Sequence, residues 1–421
     1  MSARRLALLV AFVLGAAVLV VIVVVTPGEL IPTPPGGRVP ADPAATFSPA
    51  EMGRANSFAA ALRPVSLASL VLGLGVSALF GLTRAGAVVT RAAARPLGGG
   101  WAWQALLGPV ALIVIGRLVT LPLSAYGEVV RHRYGLSTRS WPLWVRDVVT
   151  STAISAGLTA LVVLAVLSLA RRAPRTWWAW AAAGAAGLVV AGSFLYPVVI
   201  EPAFNRFEPM PPSALRSDLV ALAERSGTPV DDVLVADASR RTTALNAYVS
   251  GFGSSRRIVV YDTLLDRLPD DQIESIVAHE LGHVANDDVL TGTLIGALGS
   301  AAAVALLGWL LGWPALLRRA GATSAGDPRV VGLLLFLVAA GQLLATPVQD
   351  GVSRRVEARA DLHALDLTGD PAAFTAVQRE LGVANLSDPD PPVVWHWFFG
   401  THPTTAQRVA FAADWARAHG R

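Results

Sequence analysis

Residues 273–311 read IESIVAHELGHVANDDVLTGTLIGALGSAAAVALLGWLL, so a charged helical pattern runs directly into a long apolar stretch. The apolar part, residues 289–311, is long enough to cross a membrane, because about 20 residues rising about 1.5 Å each span the roughly 30 Å hydrocarbon core. The charged part carries two histidines and a glutamate just before that stretch. This segment therefore predicts polar chemistry at the entrance of a membrane-spanning helix.

Apolar stretches of similar length recur along the whole chain. Hydrophobic residues make up 53% of it and charged residues 15%, a balance unlike that of soluble globular proteins. Seven stretches qualify as spans by length, with approximate boundaries at residues 6–25, 65–82, 105–125, 154–169, 177–199, 289–311 and 330–348. We therefore predict a mainly α, polytopic membrane protein with seven transmembrane helices, surrounded by the lipid bilayer of the cell membrane.

The predicted spans divide the chain into four regions. They are an N-terminal membrane region with five spans (1–200), a polar region (201–288), spans six and seven (289–348) and a C-terminal polar region (349–421). Because two spans separate the two polar regions, both must emerge on the same side of the membrane. Residues from each can therefore build one site.

Charge and cysteine content exclude several kinds of site. The isoelectric point is near 10.0, but the net charge is only +4 and the arginines flank apolar segments, so no nucleic-acid partner is expected. The chain has no cysteine, which excludes disulfides, thiolate nucleophiles and cysteine-ligated zinc. Histidine, aspartate and glutamate remain as the strong metal ligands.

Residues 279–283 read HELGH, the HExxH pattern. Residues four apart on a helix share one face, so His279 and His283 can reach one metal ion. Glu280 then faces the coordination position that is left to water. The pattern predicts a zinc site with both histidines as ligands and Glu280 as the general base of a metallopeptidase.

A hydrolytic zinc site usually has a third protein ligand. The metzincin extension is excluded, because Asn286 and Val289 stand where that class needs Gly and His. No Glu or His occurs from 284 to 356, so Glu357, just past the seventh span, is the predicted third ligand. Asp361, one turn further on, is expected to accept the second ring proton of a ligand histidine. Weaker candidates for the third ligand are His363, His396 and His402.

Residues 246–250 and 256–261 flank a glycine-containing connection and predict a β-hairpin before the HExxH helix. A substrate peptide could add to the hairpin edge as a further strand, paired with Asn246, Ala247 and Tyr248. A hairpin that only caps the site would explain the spacing equally well.

Taken together, these residues resemble the type I CAAX prenyl proteases, a family of integral membrane zinc metalloproteases. The resemblance covers most of the chain and is carried by residues 201–207, 237–265, 279–283, 353–361 and 402–403. It implies one zinc ion held by His279, His283 and Glu357. It also implies that His402 and Arg408 lie near the substrate or transition state, and that the seven helices enclose a large water-filled chamber.

The expected function is a membrane-embedded zinc metalloendopeptidase in which Glu280 activates a zinc-bound water. Its substrates would be peptides or membrane proteins, membrane-associated or of CAAX type. Two alternatives are a membrane-protein quality-control protease of broad specificity and a non-catalytic channel or scaffold. Arginines in the short loops put the catalytic side outside the cytoplasm, whereas the family resemblance puts it in the cytosol. The oligomeric state and the natural substrate stay open.

Overall fold

Long helices dominate the computed structural model, which describes residues 2–34, 36–251 and 253–421, without the side chains of Pro197, Val198 and Ser254. In chain order the α-helices of the described residues are α1 Ala3–Val25, α2 Pro43–Thr46, α3 Pro49–Leu82, α4 Ala85–Ala94, α5 Trp101–Arg133, α6 Trp141–Arg172, α7 Trp177–Leu195, α8 Ala214–Arg225, α9 Asp262–Leu265, α10 Asp270–Ala285, α11 Asp288–Leu310, α12 Pro314–Arg319, α13 Val331–Thr368, α14 Pro371–Ala384, α15 Val393–Phe399 and α16 Thr405–Ala418.

Seven helices of the described ranges are long and apolar enough to cross a membrane, which confirms the predicted number and order of spans. They are α1, α3, α5, α6, α7, α11 and the segment Pro328–Thr368 that contains α13. Within this bundle α11 packs between α1 and α7, while α5 packs against α3, α4 and α6. The large chamber implied by the family resemblance stays a prediction.

Four of the spans are longer than their apolar stretches. The helix of the second span begins at Pro49, well before residue 65, because Ser48 and Glu51 form a capping box at its start. Helices α5, α6 and α13 likewise run beyond the apolar residues. Successive spans cross the membrane in opposite directions. All four extensions therefore lie on the side of the membrane that carries the polar regions. They supply the scaffold on which the site is built.

A four-stranded sheet lies in the first polar region. Its strands are β1 Phe207–Pro209, β2 Asp232–Ala236, β3 Ala247–Ser250 and β4 Arg257–Tyr261, in the order β1-β2-β4-β3. The antiparallel β3–β4 pair confirms the hairpin, with Ala247 opposite Val260; Phe252 of its connection lies outside the described residues. The sequence analysis missed β1 and β2, and β2 pairs with β4 in parallel.

Helix α10 lies at the centre of the polar half of the molecule. It packs against β3, α8, α13 and α14. Ile273, Val277 and Leu281 of α10 are almost fully buried in a core shared with the sheet and with α14 and α16. The opposite face of α10 is thereby turned toward α13. The four-region division stays a prediction, and α13 continues without interruption across its last boundary.

Candidate metal centre

The two histidines of the HExxH pattern lie on the face of α10 that meets α13. Their ring centroids are 4.9 Å apart and the ring planes are almost perpendicular, at 89°. His279 is buried and His283 is partly buried. Because the other face of α10 is anchored in the core, the two imidazoles are held toward one common point.

Glu357 reaches the same point from α13. Its Oε2 lies 3.2 Å from Nε2 of His279, and its Oε1 lies 3.6 Å from Nε2 of His283. One ligand atom from each of the three residues lies within 4.8 Å of the other two. The structure thus brings together the three residues that the sequence analysis proposed as ligands. The rival candidate His363 instead hydrogen-bonds the hydroxyl of Ser226, at 3.0 Å.

Gly282 sets how closely α10 and α13 approach. A Cβ atom at this position would lie 2.9 Å from Cβ of His363 and 3.1 Å from Cα of Ala360, both too close for ordinary packing. Ala360 is itself fully buried. The sequence analysis gave Gly282 no role, although a glycine inside a helix costs about 1 kcal/mol relative to alanine and so requires an explanation. Here it lets Glu357, the predicted third ligand, come close to the two histidines.

Asp361 lies beside the second ring nitrogen of His279. Its Oδ1 is 2.8 Å from Nδ1 of that histidine, and its side chain is 1% exposed. Arg408 of α16 donates from Nε to Oδ2 of Asp361 at 2.9 Å and also binds Oδ1 through Nη2. Asp361 is therefore oriented from both sides, by a histidine and by a guanidinium group.

His283 has a similar pair of neighbours, which the sequence analysis missed. Oδ2 of Asp288 lies 2.9 Å from Nδ1 of His283, and Arg359 binds the other oxygen of that carboxylate. The sequence did contain an indication of this contact. Asp288 follows His283 by five residues and stands at the start of the next apolar stretch. The two-residue link between α10 and α11 folds it back, with Asp287 in the left-handed region at φ +53°.

Two side chains of the HExxH pattern have shifted proton affinities. Burial raises the pKa of the Glu280 carboxyl, which makes it a stronger base than a solvated glutamate. Burial lowers the pKa of His279, but the neighbouring carboxylates of Asp361 and Glu357 outweigh it and raise that pKa to about 9. Without a metal ion, the excess of negative charge around His279 is therefore balanced by a proton.

The residues present fit a bound zinc ion. Oε2 of Glu357 is buried and lies within 3.2 Å of two imidazole nitrogens, those of His279 and His402, but among the described residues no donor meets it with the geometry of a hydrogen bond. A buried carboxylate oxygen is costly unless a hydrogen bond or a cation satisfies it. Two imidazole nitrogens and one carboxylate oxygen are also a common donor set of hydrolytic zinc, which leaves a fourth position open.

A cavity of about 520 Å³ opens beside these residues. Its walls include His279 and Glu280, together with Asn246 and Arg408 of the predicted substrate-binding set and His402, which was predicted to act near the transition state. Nε2 of His402 lies 3.1 Å from Oε2 of Glu357, and partial desolvation at the cavity wall lowers the pKa of this histidine, whose side chain is 55% exposed.

Two members of the predicted substrate-binding set have side chains that do not line this cavity. Ala247 is buried in the core. Tyr248 packs edge-on against Tyr261 and donates its hydroxyl to Glu201 at 3.3 Å. Their strand β3 is nevertheless an edge strand of the sheet. Any contact of these two residues with a peptide would therefore be made by the backbone.

Comparison with known proteins places the chain in a family. Residues 210–416 match the model of peptidase family M48, and residues 36–206 match a model described as "CAAX prenyl protease N-terminal, five membrane helices". "Uncharacterized metalloprotease YhfN" of Bacillus subtilis is 35% identical over 303 residues, covering 72% of this chain and 71% of that protein. "CAAX prenyl protease 1 homolog" of Oryza sativa is 30% identical over 322 residues, covering 72% of both chains.

Two further comparisons agree. "CAAX prenyl protease 1" of Saccharomyces cerevisiae is 26% identical over 312 residues, covering 70% of this chain and 69% of that one. The crystal structure of S. mikatae Ste24p has the same fold, with a TM-score of 0.79 at 20% identity over 98% of this chain and 99% of that one. The chain is therefore a multi-pass integral membrane metallopeptidase that belongs to peptidase family M48, in the type I CAAX prenyl protease family.

Proposed function

We propose that this membrane metallopeptidase is a zinc metalloendopeptidase that cleaves peptide bonds of membrane-associated substrates of the CAAX type. The observation that carries the proposal is the convergence of His279, His283 and Glu357, whose ligand atoms lie within 4.8 Å of one another. Glu280, from the same helix, lines the adjoining cavity. A scaffold or channel would not need a base beside a complete set of metal ligands.

A zinc ion bound here would supply a Lewis acid that polarises the scissile carbonyl and acidifies a water molecule. Glu280 accepts the proton from the attacking water and returns it to the leaving amine. Burial of its carboxyl supports this role, because a raised pKa favours proton uptake. His402 is neutral at pH 7 when its pKa is lowered, and its ring N–H can donate to the oxyanion that forms at the carbonyl.

The neighbours of the ligands support the same chemistry. A carboxylate that accepts a hydrogen bond from the N–H at Nδ1 leaves the lone pair of Nε2 free for a metal ion and holds the ring in place. Asp361 serves His279 in this way and Asp288 serves His283. Both carboxylates are in turn held by arginine side chains, those of Arg408 and Arg359.

Two features support a peptide of membrane-associated origin as the substrate. The cavity borders Asn246, which immediately precedes the edge strand β3, so an extended peptide could add to that edge through its backbone. Relatives from rice and yeast that align over about 70% of their length are named CAAX prenyl proteases. The substrate class is carried over from those relatives as part of the proposal.

The test compares Glu280→Gln with the unchanged protein, reconstituted in vesicles. Zinc is measured by elemental analysis, and cleavage is measured with a prenylated peptide ending in a CAAX sequence and with an unmodified peptide of the same sequence. We expect the variant to retain one zinc ion per chain and to lose turnover by about 10³-fold or more, since general base catalysis alone contributes about 10²–10⁴-fold.

Glu274→Gln is the matched control, because it makes the same change on the same helix, outside the cavity wall. It should retain activity. Substantial proteolysis by Glu280→Gln would contradict the assigned base. Equal cleavage of the prenylated and unmodified peptides would contradict the proposed substrate class while leaving the peptidase assignment intact.

A further inference from the structure

Helix α15 presents apolar side chains outward at the rim of the catalytic cavity. Val393 is 84% exposed, Val394 74% and Trp397 54%. These three residues lie on one side of the helix, because positions i, i+1 and i+4 of an α-helix are neighbours on its surface. On its other side, Trp395 and His396 line the cavity. Neither the metal centre nor the proposed chemistry accounts for the outward face.

The position of α15 is set by α13. Arg354 of α13 donates from Nη1 to the carbonyl oxygens of His396 and Gly400, which ties the end of α15 to that helix. The apolar stretch of α13 ends near Val348, so Arg354 lies about 9 Å further along the axis at about 1.5 Å per residue. Helix α15 is therefore held just beyond the apolar part of a membrane span.

A second span indicates the level of the bilayer boundary independently. Arg355 and Arg359 of α13 donate to the carbonyl oxygens of Pro27 and Val25, at 3.2 and 3.3 Å. Val25 is the last residue of α1, whose preceding residues Val23 and Val24 are 77% and 76% exposed. Since α1 is apolar and lipid-facing to its end, the hydrocarbon reaches approximately the level of these arginines.

The start of the sixth span indicates the same level for the bilayer boundary. Helix α11 begins at Asp288, which is paired with Arg359. The next two residues, Val289 and Leu290, are 48% and 63% exposed. Lipid-facing apolar residues of α1 and α11 therefore both reach the turn of α13 that adjoins α15.

We propose that α15 lies in the interface of the bilayer, with Val393, Val394 and Trp397 in contact with lipid. Contiguous exposed apolar side chains mark an interaction surface, and this one adjoins the part of α13 that the exposed apolar ends of α1 and α11 reach. Tryptophan is favoured at the depth of the lipid headgroups, where its ring meets acyl chains and its N–H meets water. One wall of the catalytic cavity is thus a helix in contact with lipid.

The chain has no cysteine, so single cysteines can be spin-labelled without background. The test places one label at a time at 393, 394 or 397 in the full chain, reconstituted in phosphatidylcholine vesicles. Collision rates are measured with oxygen, which partitions into lipid, and with a water-soluble nickel chelate. Leu344→Cys in the seventh span, 79% exposed, is the lipid reference, and Glu224→Cys on α8 is the aqueous reference. Zinc content checks that each variant is folded.

We expect all three labels on α15 to show an oxygen-to-nickel ratio several-fold above that at 224, and below that at 344. Nickel accessibility equal to that at 224 would overturn the proposal, because the helix would then face water. Labels shielded from both reagents would also overturn it, because a protein surface such as a second copy of the chain would then cover the helix. Neither result depends on peptidase activity.

Discussion

Oδ2 of Asp288 lies 2.9 Å from Nδ1 of His283, so the first residue of the sixth membrane span orients a histidine of the preceding helix. The candidate metal centre is therefore joined to the membrane helices by direct side-chain contacts. Glu357 makes the same connection from α13, the seventh span. We expect substitutions of Asp288 or Glu357 to weaken metal binding more than they destabilise the fold.

Replacing Asp288 by asparagine should weaken zinc binding by about 10–100-fold, the usual effect of removing a carboxylate behind a metal-binding histidine. The neutral amide oxygen holds the N–H of His283 more weakly than a carboxylate does, and the change leaves Arg359 without its partner carboxylate. The measurement is a competition titration with a chelator of known affinity. Asp287→Asn is the control, because its side chain is exposed and asparagine tolerates a positive φ. Equal zinc affinity in both variants would refute the role of Asp288.

Replacing Glu357 by alanine should remove zinc from the purified protein and abolish cleavage, because two histidines alone hold the ion weakly. His363→Ala is the decisive comparison. It removes a rival ligand candidate that lies on the same helix and bonds Ser226, and its Cβ packing against α10 is preserved. Zinc content and peptidase activity are measured on both variants. Loss of zinc from His363→Ala with retention by Glu357→Ala would reverse the assignment.

Replacing Gly282 by alanine should loosen the site without changing any ligand. The added methyl group meets the backbone of Ala360, so α10 and α13 must separate, at a cost of about 1–3 kcal/mol in folding free energy. We expect a lower unfolding temperature and reduced zinc occupancy. Gly292→Ala on α11 has open space around the new methyl group, so it should leave zinc occupancy unchanged and should not lower the unfolding temperature. Full zinc occupancy and wild-type stability in Gly282→Ala would show that the close approach of α10 and α13 at Gly282 is not required for the site.

Zinc binding should release protons near neutral pH. In the metal-free protein the pKa of His279 is raised to about 9, so the ring is protonated at pH 7, whereas a ligand histidine must be neutral. Apparent affinity should therefore rise by up to about tenfold per pH unit from pH 7 toward 9 and then level off. Calorimetric titrations in two buffers of different ionisation enthalpy count the protons released. Identical heats in both buffers would contradict the expected coupling.

The fold and part of the site follow from short-range patterns. Seven apolar stretches predict seven spans, because a bilayer requires a fixed length of apolar helix whatever the neighbours are. His279, Glu280 and His283 share a helical face through the 3.6-residue period alone. The hairpin strands β3 and β4 were predicted from adjacent residues. The strands β1 and β2 were missed, because their pairing is set by contacts with residues distant in the chain.

The sequence by itself determined the membrane class, the order of the spans and the two histidines with their glutamate. The sequence also predicted Glu357 and Asp361 as their neighbours, but only the tertiary structure decided how close these carboxylates stand and added Asp288. Glu357 and Asp361 meet α10 because a glycine allows two helices to touch, and Asp288 meets His283 because a short link turns back. The physical reason is that periodicity specifies the faces of one helix, whereas the distance between two helices depends on the packing of every residue between them.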